Sequence, residues 1–83
     1  MTEEKFKQQQ QQLIFCIKKS KERYNLKENE ISSLNFLLTL VMKYTYSNRL
    51  KLKGLLKHTI VDSLEIEDDN LIDKVFEFDN DLK

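Results

Sequence analysis

The stretch Leu26-Lys27-Glu28-Asn29-Glu30-Ile31-Ser32-Ser33-Leu34-Asn35-Phe36-Leu37-Leu38-Thr39-Leu40-Val41-Met42-Lys43-Tyr44 decides the fold class. Leu34, Leu37, Leu38, Leu40, Val41 and Tyr44, with Phe36 beside them, recur at helical spacing and cover most of the circumference. The pattern predicts a central helix covered on several sides. Its start reads from Leu26 and Ile31, spaced as a hydrophobic staple around a cap at Lys27, with Glu30 at the third position of a capping box. Lys is a poor cap, and Asn25 with Glu28 is a competing start.

Upstream, Thr2 can cap a helix that carries Glu3 and Glu4 in its first turn and runs to about Tyr24. Phe6, Leu13, Ile17 and Tyr24 fall near one face with Ser20 between them, and Lys18, Lys19, Lys21 and Arg23 crowd the last turns. Gln8 to Gln12 are read as a solvated face. Downstream, Ser47 and Asn48 can cap a third helix from Arg49 to about Glu65 that presents Leu52, Leu55, Leu56, Ile60 and Leu64. The alternation Arg49-Leu50-Lys51-Leu52-Lys53 before Gly54 leaves a second start open, at Leu55. Ile66 and Leu71 flank a cap at Glu67 or Asp68 for a short fourth helix with Leu71, Ile72, Val75 and Phe76 on one side. Residues 77–83 read as a frayed acidic tail.

Punctuation agrees with helices, since the chain has no proline and one glycine. An 83-residue chain with one cysteine forms a single domain, residues 1–83, without disulfide or zinc staples. Its stability therefore rests on well-packed helices or on a second subunit, so a homodimer is among the expected states. Cys16 in its apolar run reads as a reduced cytosolic thiol. No apolar run approaches the roughly 20 residues that span a bilayer, and the acidic, Gln-rich start is not a secretory signal. The expected location is the cytoplasm. High Lys, Asn, Ile and Leu suit an AT-rich bacterial or phage genome.

The formal charge of zero hides a segregation: residues 1–57 hold twelve Lys and Arg against five Asp and Glu, and residues 58–83 hold two against nine. Such opposed halves point to a binding partner or to one end docking on the other, and not to a reaction. One histidine, one cysteine and no glycine-rich phosphate loop offer little for catalysis, so no enzyme, cofactor or metal is expected. A Cys16–His58 nucleophile and base pair is disfavoured by the apolar setting of Cys16. The acidic cluster lacks the ligand register of a calcium loop.

The expected fold is all-α, a small bundle of three longer helices and a short C-terminal helix. The expected function is a non-enzymatic protein-binding module, such as a bacterial or phage regulator, inhibitor or immunity factor. Asp62, Glu65, Asp68, Asp69 and Asp73 are the candidate contacts to a basic partner surface, with Tyr46 and Arg49 as an aromatic and cationic anchor. Tyr46, at a helix end, is expected to be more exposed than Tyr44. Two alternatives stand: a nucleic-acid-associated regulator using Lys43, Arg49, Lys51, Lys53 and Lys57, and a structural subunit of a larger assembly.

Overall fold

Thr2 opens the first helix of the computed structural model, which describes residues 1–23, 26–62 and 68–82. Its Oγ1 accepts a hydrogen bond from the Lys5 amide at 3.1 Å, satisfying one orphan donor of α1 (Glu3–Lys21). Phe6, Leu13, Ile17 and Ser20 are buried on one face of α1, as their spacing requires. Tyr24 and Asn25 lie outside the described residues, so their expected places in the first and second helices do too.

Helix α2 (Glu28–Lys43) begins at Lys27. A lysine cannot accept, so only half of the capping box carries physical weight: Glu30 Oε1 takes the Lys27 amide at 3.4 Å. At its other end, Gln10 Nε2 reaches across from α1 and donates to the carbonyls of Val41 and Tyr44, both at 2.9 Å. These are acceptors that the end of a helix would otherwise leave open.

A 3₁₀ turn, Tyr46–Asn48, follows. Asn48 is not the side-chain cap expected for the next helix, because its Oδ1 is turned back to accept from the Thr45 amide at 2.8 Å. The expected third helix is two pieces, α3 (Arg49–Leu52) and α4 (Leu55–Asp62), and both proposed starts are therefore used. Gly54 separates them with φ +83°, a backbone state that other residues adopt only at a cost. Leu64, Ile66 and Glu67 lie outside the described residues.

Helix α5 (Asp69–Asp81) is capped by Asp68, whose carboxylate accepts from the Leu71 amide at 3.2 Å. It is longer than expected. The frayed tail placed over 77–83 is replaced by helix through Asp81, with Phe78, Asp79 and Leu82 buried. Phe78 seals the core by packing on Phe6, ring centroids 5.6 Å apart, which gives the end of the chain an apolar reason to stay folded.

The chain is all-α, and no strand occurs among the described residues. The core joins Phe6, Leu13 and Ile17 to Leu37, Val41, Leu52, Leu56, Leu71, Val75 and Phe78. Its centre is α1, against which α2, α5 and the 3₁₀ turn pack, while α4 packs on α5. This corrects the expected central place of α2. That helix buries Leu34, Leu37 and Val41 toward α1 and leaves Phe36 56% and Met42 58% exposed. No helix among the described residues is long and apolar enough to cross a membrane.

Candidate functional site

The acidic residues expected to share a role are split by the fold. Asp68 is occupied within the molecule: Ser20 Oγ donates to its Oδ2, and Arg23 lies 3.6 Å from the same oxygen. The Ser20 hydrogen bond, with help from the Leu71 and Asn70 amides and from Arg23, holds the Asp68 carboxyl below its ordinary value despite an opposing desolvation. Asp68 is thus a tie between α1 and the start of α5. Asp69 and Asp73 are exposed on the outside of α5, where Glu77 continues the same i, i+4 row. The Asp62 side chain and all of Glu65 lie outside the described residues.

Tyr46 and Arg49 come together, but not on an open surface and not beside the α5 row. The Arg49 guanidinium carbon stacks 3.8 Å over the Tyr46 ring, and its Nη1 donates to the Tyr46 carbonyl at 2.8 Å. Tyr46 is half-buried edge-on against Phe6, centroids 6.1 Å apart, and its hydroxyl donates to the Met1 carbonyl at 3.0 Å. These contacts leave Tyr46 half-buried, as Tyr44 is. The pair belongs to the Phe6 end of α1, whereas Asp68 belongs to the Ser20 end, about 21 Å along the helix by its rise per residue.

The basic residues of the middle segment are largely engaged as well. Lys53 Nζ donates to the Leu82 carbonyl at 2.8 Å, and Lys57 Nζ to Asn80 Oδ1, so both cations sit where the end of α5 favours positive charge. Lys43 is exposed over the Tyr44 ring at 5.8 Å, and Lys51 is exposed.

Three features were not reached from the sequence. Asp79, assigned to the tail, is 2% exposed and accepts from two amides of the α3–α4 junction: Gly54 at 2.9 and 3.0 Å, and Lys57 at 3.1 Å. It acts as the N-terminal cap that α4 lacks in its own sequence. Gln9 and Gln10 are not part of a solvated row, since both are half-buried and bonded across helices, Gln9 Nε2 donating to Asp81 Oδ2 at 2.8 Å. Gln9 Oε1 is buried without a hydrogen-bond partner among the described residues.

The third is Phe15, 60% exposed. It lies two positions from both Leu13 and Ile17, which places it on the opposite side of α1, a signal the periodicity did contain. Lys19 Nζ lies 5.5 Å from its ring centroid. Phe15, Gln11, Gln12, Cys16 and Lys74 line a shallow, open depression of about 410 Å³ where α5 runs alongside α1. Lys74 lines it from the flank of α5, whereas Asp69 and Asp73 lie farther round that helix, on its outward side. Lys18 and Lys19 are exposed on the α1 side. Among the described residues, His, Cys, Asp and Glu nowhere gather as a group fit to hold a metal ion.

Comparison with known proteins finds no matching family model, no matching curated protein and no matching solved structure.

Proposed function

We propose that this chain is a non-enzymatic protein-binding module that occupies a basic surface of another protein through the outer face shared by α1 and α5. The observation that carries this reading is the exposed carboxylate row Asp69, Asp73 and Glu77 on the outside of α5, on the same molecule as the open depression at the exposed Phe15 ring between α1 and α5. None of those three carboxylates has an ion pair among the described residues. The depression receives an apolar group of the partner, the carboxylates on the outside of α5 steer the partner's basic surface, and Phe15 supplies contact area at small entropic cost. A cytoplasmic regulator, inhibitor or immunity factor of a bacterium or phage works by such occupation.

The test separates the binding face from the residues that hold the fold. Reversing Asp69, Asp73 and Glu77 to Lys leaves Asp68 and Asp79 in place, so circular dichroism and the melting temperature stay near wild type. Affinity for the captured partner falls by at least about a hundredfold, as several like charges then face a basic surface. Phe15→Ala weakens it by about tenfold or more. Equal affinity of wild type and the triple variant contradicts the reading.

A further inference from the structure

Helix α2, whose main neighbour among the described residues is α1, has an outer face unlike that of an ordinary surface helix. From Ile31 to Met42 it carries no charged residue, in a chain where Asp, Glu, Lys and Arg make up 34% of positions. Phe36 and Met42 are more than half exposed there, and Ile31 is 39% exposed. A surface helix normally turns charge to water. A charge-depleted outer face with aromatic and Met residues is instead what the covered centre of an interface looks like.

The sequence of that face also says what covers it. Glu28, Ser32, Phe36, Thr39 and Lys43 are all exposed and spaced to form one ridge, with Asn35 beside Phe36. Position numbers in this ridge pair about a single point between 35 and 36: Glu28 with Lys43, Ser32 with Thr39, Asn35 with Phe36. A second copy of α2 laid antiparallel across that point sets Glu28 against Lys43 of the other copy at both ends, about 22 Å apart. Small Ser32 and Thr39 oppose each other and let the helices approach around two central Phe36 rings. Thr39 Oγ1 already donates to the Asn35 carbonyl at 3.0 Å, so its hydroxyl needs no partner and its methyl group is presented. Acidic start and basic end also suit the dipole of a lone helix, but that preference explains neither the uncharged middle nor the exposed Phe36.

We infer that the chain forms an isologous homodimer through antiparallel pairing of α2, a two-fold contact in which one self-complementary patch serves both subunits. This surface is separate from the α1–α5 face, so the two readings fail independently.

Sedimentation equilibrium of the purified full-length chain at about 100 µM tests it. Wild type is a dimer. Thr39→Glu buries an unpaired carboxylate in the seam and weakens association at least about thirtyfold with circular dichroism unchanged. Glu28→Lys and Lys43→Glu each weaken the dimer about fivefold or more, and the double variant restores it to within about twofold. A wild-type monomer overturns the inference, and so does an unchanged Thr39→Glu dimer, which would place the contact elsewhere. A double variant no tighter than the single ones overturns the antiparallel register.

Discussion

The Asp79 carboxylate bridges α5 to the start of α4 by accepting from the Gly54 and Lys57 amides while itself 2% exposed. Asp79→Ala removes the acceptor of two part-buried amides that cap α4, at a cost of about 2 kcal/mol. In a domain this small that lowers Tm by about 10 °C in a thermal melt. Asp79→Asn keeps one acceptor and costs less than half as much. No sequence pattern announced this role, because it depends on backbone 25 positions earlier in the chain. Asp68, by contrast, was legible as a cap from its place before Leu71, and only its partners on α1 were not. Because the fold holds the Asp68 carboxyl below its ordinary 3.8, the contribution is fully present at neutral pH and is lost as pH falls below about 4 through the folded value. Asp68→Asn therefore destabilises at pH 7, and its deficit relative to wild type shrinks in acid melts as pH falls below about 4. A deficit constant over that window would mean that Asp68 acts through packing alone.

At the scale of elements, caps and breaks were readable, whereas the pairing of helices was not. Thr2, Lys27 and Asp68 mark starts that the structure uses, because capping is local chemistry between neighbouring residues. Gly54 is a break because φ +83° is open to it alone without strain. A Cβ built there meets nothing within 4 Å, so Gly54→Ala carries only the backbone cost, about 1 kcal/mol, readable from chemical denaturation with m unchanged. A larger loss would mean that the α3–α4 junction is more tightly constrained than this. The misplaced element is α2. Its apolar residues encircle the helix, and within one chain that pattern reads as a central position. The central position belongs to α1, whose five consecutive glutamines hid the fact that Gln9 and Gln10 tie α5 and α2 to it.

For the whole molecule, the contacts that seat the acidic α5 among the described residues are mainly apolar packing and hydrogen bonds rather than ion pairs. Helix α5 is seated on α1 and α4 by Leu71, Val75 and Phe78 and by hydrogen bonds to Asp68 and Asp79, with an ion pair from Arg23, just past α1, to Asp68. Such a partly exposed pair contributes at most about 1 kcal/mol. Raising salt from about 0.05 to 1 M accordingly shifts Tm by no more than a few degrees. A fall beyond about 10 °C would return the stabilising role to the opposed charges. What remains for the outward carboxylates is the proposed steering toward a partner. Its most direct measurement is capture from extract of the source organism by the immobilised chain, with nuclease and at two salt concentrations, run beside the variant in which Asp69, Asp73 and Glu77 are Lys. The expected result is one stoichiometric polypeptide, distinct from the chain itself, that survives nuclease and is lost from the variant. Equal capture by the variant, or retention of nucleic acid alone, would contradict it.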